Sequence, residues 1–166
     1  MASIDVTASE DREARHREAE SRVQDFRFVK PTDLKGNNKA LVRLCRSDIL
    51  QGLVQVIKDG GENNLHYHDG MDSFWMVLKG RAAFYGPGDK LIGEYGPMEG
   101  ILTPRGARYW FAKASEEDLE LLHVTAYERD NKSHSRIDVS GKTTKKNRNL
   151  WLDGRKGNAE LDRSRD

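Results

Sequence analysis

A series of short apolar or alternating segments, separated by turns that contain glycine or proline, constrains the fold of this chain most. The segments cover residues 40–45, 49–57, 73–79, 81–85, 90–95, 100–103, 108–112 and 119–127. The turns between them include 35–38, 59–61, 86–89 and 104–106. Segments of this length and spacing predict the strands of an all-β sandwich or barrel. No long amphipathic helical pattern interrupts them, so a parallel sheet built from βαβ units is not expected.

Charge divides the chain into three parts. Of its 166 residues, 36% are hydrophobic and 33% are charged, which is polar for a globular protein. Most of the excess charge lies before residue 26 and after residue 127. We therefore predict a charged N-terminal arm over 1–25 that is helical or disordered, a barrel over 26–127, and a polar C-terminal tail over 128–166.

Composition argues against several classes of protein. The net charge is only +1, which gives no bulk field to attract nucleic acid or an anionic membrane. The single cysteine, Cys45, excludes an intramolecular disulfide framework and suits a reducing compartment. No run approaches the roughly 18 apolar residues of a membrane span, and the N-terminus lacks the apolar core of a signal peptide. We expect a cytoplasmic protein that binds neither a membrane nor nucleic acid.

The predicted tail has one basic and one apolar group. Residues 142–148 form a basic cluster, which is followed by Leu150, Trp151 and Leu152. One interpretation is a mobile tail whose Trp151 docks on the barrel or on a neighbouring subunit. The other is a nucleic-acid patch, but acidic residues follow the lysines and no aromatic residues are interleaved with them.

Two histidines separated by one residue are the strongest chemical signal. On a strand, the side chains of His66 and His68 point to the same face, because successive residues alternate. Two such imidazoles can hold one metal ion, with neutral nitrogen atoms at roughly 2 Å from it. The pair therefore indicates a metal site inside the predicted barrel.

The spacing of glycines and prolines around this pair resembles the cupin superfamily over residues 40–127. The first cupin motif has glycine, five residues, His-x-His, a short gap, glutamate, six residues and glycine. The second has glycine, five residues, Pro-x-Gly, two residues, histidine, three residues and asparagine. This chain matches them at Gly60, His66, His68, Gly80, Pro104 and Gly106. The resemblance implies a cupin-type double-stranded β-helix, a jelly-roll barrel with polar N- and C-terminal extensions.

The metal set of the family is altered here. Cupins usually use three histidines and one glutamate, but by position this chain has Ser73 for the glutamate and Tyr109 for the last histidine. A tyrosine binds metal mainly as the phenolate and, with a free pKa of about 10, needs a strongly acidic metal ion to lose its proton. The resemblance implies a metal site of His66, His68 and Tyr109, holding Fe, Zn, Cu, Mn or Ni.

Other residues could complete or replace this site. Asp72 has the right chemistry, but strand alternation directs it to the opposite face unless a bulge re-aims it. His123 could supply a third imidazole or act as a general base, or it could be a hydrogen-bonded core residue. Tyr109 could be a ligand, a proton donor, or a hydrogen-bonding group for a ligand or a buried water. We predict Tyr109 and His123 as the catalytic residues.

Alternation along 73–79 predicts the wall of the ligand pocket. If Ser73 faces inward, so does Trp75, which would give an apolar or stacking surface for a ligand. Phe74, Met76 and Leu78 then face outward, onto another sheet or onto a second subunit in a homodimer, as in many cupins.

Two functions follow from the resemblance. The first is a small metal-dependent cupin enzyme that acts on a small organic metabolite, with oxygenase, isomerase, lyase or cyclase chemistry. The alternative is a metal-free cupin barrel that binds a sugar or a carboxylate without catalysis, with Ser73, His66 and Tyr109 as hydrogen-bonding groups.

Overall fold

The computed structural model describes residues 6–129, 136–139 and 149–162. These residues form one α-helix, α1 (Val6–Glu20), two short 3-10 helices (Pro87–Asp89 and Gly154–Lys156) and twelve strands. The strands are β1 (Lys39–Arg46), β2 (Leu50–Ile57), β3 (His66–His68), β4 (Met71–Lys79), β5 (Ala82–Tyr85), β6 (Leu91–Tyr95), β7 (Gly100–Thr103), β8 (Trp110–Lys113), β9 (Leu119–Tyr127), β10 (Arg136–Asp138), β11 (Leu150–Asp153) and β12 (Ala159–Glu160). The prediction of an all-β fold is confirmed.

Three sheets build the barrel. The large sheet has seven strands in the order β12-β11-β1-β2-β9-β4-β7. A three-stranded sheet, β6-β5-β8, and a two-stranded sheet, β10-β3, accompany it. Strands β2, β9 and β4 are antiparallel neighbours at the centre of the large sheet. They were predicted as the segments 49–57, 119–127 and 73–79, which agree with the observed strands to within two residues.

The inner face of the large sheet packs on the three-stranded sheet. Trp75 and Val77 of β4 and Leu121 of β9 meet Phe84 of β5 and Phe111 of β8 in one buried cluster. Trp75 lies 5.1 Å from Phe111 and 5.9 Å from Phe84 between ring centroids. This aromatic packing fills one end of the barrel and leaves polar side chains at the other.

The outer face of the large sheet has a second core. Its buried members are Leu34, Ala40, Val42, Leu44, Val54, Val56, Leu150 and Leu152, and Phe28, Leu78 and Leu122 pack against them. Strand β2 is therefore buried on both faces, since Val54 and Val56 belong to this cluster whereas Leu53 faces inward. A strand buried on both sides has little freedom to slip, because a shift of one residue exchanges the two faces.

The C-terminal segment takes part in the sheets, whereas the sequence analysis placed 128–166 in a polar tail. Strand β11 pairs with β1 in parallel, with Leu41 opposite Trp151. Leu150 and Leu152 enter the outer core, and the side chain of Trp151 lines the interior cavity. Strand β10 pairs with β3, so this segment also covers the His66–His68 strand. The basic cluster 142–148 lies outside the described residues.

The N-terminal arm is helical over the part that the structure describes. Side chains 9–20 of α1 are all exposed, and the favourable Glu13–Arg17 pair has an N–O distance of 3.5 Å. Such exposed pairs contribute little to stability. In the described ranges, no helix is both long and apolar enough to cross a membrane.

The outer side of the β4–β7 edge exposes apolar side chains. Phe74 is 45% exposed and Leu102, its partner in the register, is 61% exposed. The alternation predicted for 73–79 is confirmed, because Ser73, Trp75 and Val77 are buried. A homodimer through this edge stays a prediction.

We expect Leu152→Ala to lower the free energy of unfolding by about 2–5 kcal/mol, because it removes buried methyl groups from the outer core. Urea unfolding monitored by tryptophan fluorescence measures this change. Leu91→Ala is the matched control, since Leu91 is 54% exposed and should change the free energy by less than about 0.5 kcal/mol. Equal effects of the two substitutions would show that β11 does not belong to the folded core.

Candidate ligand-binding site

A cavity of about 520 Å³ opens into the polar end of the barrel. Strands β1, β2, β4 and β9 of the large sheet supply one wall, and β3, β10 and β11 supply residues around it. The predicted residues His66, His68, Trp75, Tyr109 and His123 all line this cavity. The fold therefore brings most of the predicted site together.

Tyr109 is fixed next to the histidine pair by the backbone. Residues His66 and Tyr109 exchange two main-chain hydrogen bonds, of 3.1 Å and 3.0 Å. Their ring centroids lie 4.6 Å apart. The rings of His66 and His68 are 5.2 Å apart and perpendicular. The two sequence motifs thus meet at one point of the cavity wall.

His66 is held as a neutral imidazole. Its Nδ1 lies 2.8 Å from the carbonyl oxygen of Asn64, so Nδ1 carries the proton and donates it. Burial lowers the pKa of His66 to about 3, and the positive charge of Arg136 acts in the same direction. Its Nε2 therefore carries a lone pair at neutral pH.

The Tyr109 phenol is also held neutral. The side chain is buried, and burial raises its pKa to about 12. The hydroxyl forms no hydrogen bond of good geometry with the described residues. The nearby side chains of Thr103 and Ser73 partly offset this rise in the pKa of Tyr109, but neither forms a hydrogen bond of good geometry with its hydroxyl. A buried hydroxyl in this state favours a bound polar group as its partner.

His123 forms a compact unit with two of the predicted ligand-binding residues. Its Nε2 lies 3.0 Å from Ser73 Oγ and 3.1 Å from Thr125 Oγ1. Its ring stacks on Trp75 at a centroid distance of 3.7 Å and an angle of 6°. Trp75 in turn donates from Nε1 to Thr103 Oγ1 at 3.1 Å. Direct contact of Ser73 or Trp75 with a ligand stays a prediction.

Burial also keeps His123 neutral. It lowers the pKa of His123 to about 3, with a further contribution from the nearby His68 and His66. Nδ1 of His123 is buried and has no hydrogen-bond partner among the described residues. The core-residue interpretation of His123 agrees with its bonds to Ser73 and Thr125, although its ring also borders the cavity.

The residues present do not fit the metal centre that the motif implies. Ser73, at the position of the glutamate, is hydrogen-bonded to His123, and the phenol of Tyr109 resists ionisation. Asp72 is not re-aimed inward, because its Oδ1 accepts a hydrogen bond of 2.8 Å from the backbone N–H of Arg105. Within the described ranges, no group of three or more His, Cys, Asp or Glu side chains could hold a metal ion. A metal bound by His66, His68 and Tyr109 stays a prediction.

Sequence reasoning missed two basic residues of the cavity. Lys39, the first residue of β1, is 8% exposed and its Nζ lies 5.2 Å from the ring centroid of Phe111. Burial lowers its pKa to about 8, and the charge of Arg136 adds to this effect whereas Glu62 opposes it. Arg136 lies at the rim, where its Nε donates to Asp138 Oδ1 at 2.8 Å. Lys39 precedes the inward-facing Leu41 by two residues, so strand alternation could have predicted that Lys39 lies on the inner face.

Two glutamines were also missed. Gln51 and Gln55 are buried on the inner face of β2, on either side of Leu53, and line the cavity. Their spacing of four residues in an otherwise apolar strand places both amides on one face. That pattern could have been read from the sequence, because a strand buried on both faces has no solvent side for its polar residues.

The two buried histidines should make stability depend on pH. Their pKa of about 3 in the folded protein lies below the ordinary value of 6.5, so the unfolded chain takes up two protons that the folded protein does not. The free energy of unfolding should fall as pH falls below 6.5, by up to about 1.4 kcal/mol per pH unit for each histidine. Urea unfolding between pH 6.5 and about 4.5 measures this slope, above the range in which aspartates titrate.

His123→Gln should roughly halve that slope, whatever it does to stability at neutral pH. His16→Gln is the control, because His16 is exposed on α1. A slope that His123→Gln leaves unchanged would contradict the buried, neutral state of His123.

Comparison with known proteins identifies the fold. No protein-family model matches the sequence, and no curated protein matches it significantly. A protein from Klebsiella pneumoniae with a double-stranded β-helix domain superposes with a TM-score of 0.57 at 16% identity, over 74% of this chain and 96% of that one. An RmlC-like cupin from Desulfovibrio desulfuricans superposes with a TM-score of 0.53 at 17% identity, over 63% of this chain and 96% of that one.

A third solved structure with this fold is an oxalate oxidase. It superposes with a TM-score of 0.52 at 18% identity, over 66% of this chain and 60% of that one. At such identities the likeness concerns the fold alone. Together with the sheet order and the paired motifs, these likenesses show that the chain has the cupin fold, a double-stranded β-helix barrel.

Proposed function

We propose that the barrel binds a small organic carboxylate in its cavity, without a resident metal ion. The observation that carries this proposal is the charge of the cavity wall. Lys39 and Arg136 line it, and no aspartate or glutamate occurs among its described lining residues. The volume of about 520 Å³ suits a small metabolite.

The electrostatics of Lys39 support an anionic ligand. A buried ammonium group is costly unless an opposite charge or hydrogen-bond acceptors compensate it. The lowered pKa of Lys39 reflects that cost, because burial and the nearby Arg136 both disfavour its charged form. A carboxylate bound beside Lys39 would compensate the charge of Lys39, whereas Arg136 is already paired with Asp138.

Neutral polar groups would orient the rest of the ligand. The amides of Gln51 and Gln55 can donate and accept, and Nε2 of His66 can accept a hydrogen bond. The hydroxyl of Tyr109 lacks a partner in the described residues and can donate to a ligand oxygen. These groups favour a carboxylate that carries a second oxygen function, such as a hydroxyl or carbonyl group.

The same side chains are poorly suited to acid–base catalysis on their own. General acids and bases work best when their pKa lies near the working pH. The pKa of about 3 for His66 and His123 and of about 12 for Tyr109 lie far from neutrality. These pKa values favour a ligand-binding function over metal-free acid–base catalysis.

A metal-dependent enzyme is the second candidate, favoured by the adjacent and perpendicular rings of His66 and His68.

Calorimetric titration with lactate, and with lactamide as its neutral analogue, tests the proposal. We expect lactate to bind, lactamide to bind much more weakly, and EDTA to leave both results unchanged. Lys39→Gln should weaken lactate binding by about tenfold or more, because a hydrogen bond to a charged group contributes about 1.5–3 kcal/mol. Lys79→Gln is the matched control, since the Lys79 side chain is 56% exposed.

Two results would contradict the proposal. Equal binding of lactate and lactamide would show that the positive charges of the cavity do not select the ligand. Loss of binding on addition of EDTA, with recovery on addition of a transition metal, would favour the metal-dependent candidate instead.

A further inference from the structure

Lys39 differs from the other buried lysine of the described chain. The side chain of Lys113 is 8% exposed, and its Nζ bonds to Asp59 at 2.8 Å and to the carbonyl oxygens of Ser115 and Glu116 at 2.6 Å and 2.9 Å. Among the described residues, Nζ of Lys39 has no such oxygen partner and only faces the ring of Phe111. Lys113 is therefore a structural lysine, whereas the amine of Lys39 is available to the cavity.

We infer that Lys39 is a nucleophilic amine that forms a reversible imine with the carbonyl group of a 2-oxo acid bound in the cavity. This inference rests on the proposed function and narrows it, since a 2-oxo acid carries the carboxylate together with a carbonyl group beside it. For the imine to form, the amine of Lys39 must also be unprotonated and must lie next to a site that binds the carboxylate.

The surroundings of Lys39 supply the unprotonated form. Burial and the charge of Arg136 lower its pKa to about 8 from the ordinary lysine value of 10.5, and Glu62 offsets part of this change. About one molecule in ten therefore has a neutral Lys39 amine at pH 7, compared with fewer than about one in a thousand for an ordinary lysine. Amines with a lowered pKa in an apolar setting are the ones that form imines in proteins.

The cavity also supplies the groups that the reaction needs. Arg136 provides a positive charge for the carboxylate, and the unpartnered hydroxyl of Tyr109 can donate to the carbonyl oxygen. The lone pair of Lys39 Nζ attacks the carbonyl carbon and gives a carbinolamine. The carbinolamine loses its hydroxyl group together with the remaining N–H proton as water, and a carbon–nitrogen double bond replaces the original carbon–oxygen double bond. No oxidant or reductant is needed.

Reductive trapping tests the inference. The full-length protein is incubated with pyruvate and sodium borohydride, and the product is examined by intact mass and peptide mapping. We expect one adduct, equal in mass to pyruvate less one oxygen atom, on Lys39. Its yield should rise as pH is raised towards about 8, where the amine loses its proton.

Matched variants locate the adduct. Lys39→Arg has no nucleophilic amine, so it should lose the adduct. Lys79→Arg should keep the adduct on Lys39, because Lys79 is at the surface. An adduct that persists in Lys39→Arg, or that spreads over exposed lysines, would overturn the inference.

The two proposals fail in different ways. If lactate binds to the unmodified protein but pyruvate leaves no adduct on Lys39, the imine is wrong and the carboxylate site stands. If lactate does not bind, the carboxylate site is wrong and the imine, which depends on it, is wrong as well.

Discussion

Burial of strand β2 on both faces is the constraint on which this structure depends. The outer face of β2 packs Val54 and Val56 into one core, and its inner face looks into the barrel. Such strands offer no solvent side for polar residues, so each polar residue on them must find a partner inside. The inner polar residues of β2 and of its neighbour β9, such as Gln51, His123 and Thr125, lie at the polar end of the barrel and line the cavity.

The inner polar residues differ in how far the described residues satisfy them. His123 hydrogen-bonds Ser73 and Thr125 through Nε2 beside the ring of Trp75, so these residues form part of the wall. The hydroxyl of Tyr109 and Nδ1 of His123 are buried without a hydrogen-bond partner among the described residues, and Nζ of Lys39 faces the ring of Phe111. A ligand is the natural partner for such atoms, because leaving them buried and unpaired costs free energy. These atoms, together with the positive charges of Lys39 and Arg136, are the basis of the proposed carboxylate site.

The same packing explains why the described residues contain no group of three His, Cys, Asp or Glu side chains that could hold a metal ion. A glutamate in place of Ser73 would have to enter the space beside His123 Nε2, which lies 3.0 Å from Ser73 Oγ. The Tyr109 phenol lies in surroundings that raise its pKa, which disfavours the phenolate that a metal needs. The described residues thus combine the cupin fold with a cationic, hydrogen-bonding interior.

Much of the fold could be predicted from the sequence, and the reasons differ between elements. Segments 100–103 and 119–127 were predicted to the residue, because alternation and turn residues define antiparallel strands locally. The meeting of Tyr109 with His66 followed from motif spacing. Strand β11 was missed because its pairing with β1 spans most of the chain, and a three-residue apolar group gives no local sign of its partner.

The basic residues of the cavity wall, Lys39 and Arg136, were missed for a related reason. Lysine is rarely buried, so Lys39 at the start of a strand is expected to face solvent. Its Nζ faces the ring of Phe111, and its strand pairs with β11, and neither of these is near Lys39 in sequence. Local pattern thus predicts which face a residue occupies but not what later covers that face.

A crystal structure of the full-length protein grown with lactate tests the central claim most directly. If the cavity binds carboxylates through its positive charges, we expect the carboxylate of lactate to lie within hydrogen-bond distance of Lys39 Nζ, with the Arg136 guanidinium beside it. A metal ion held by His66, His68 and Tyr109 with the carboxylate bound to it, or lactate bound elsewhere on the protein, would contradict the claim.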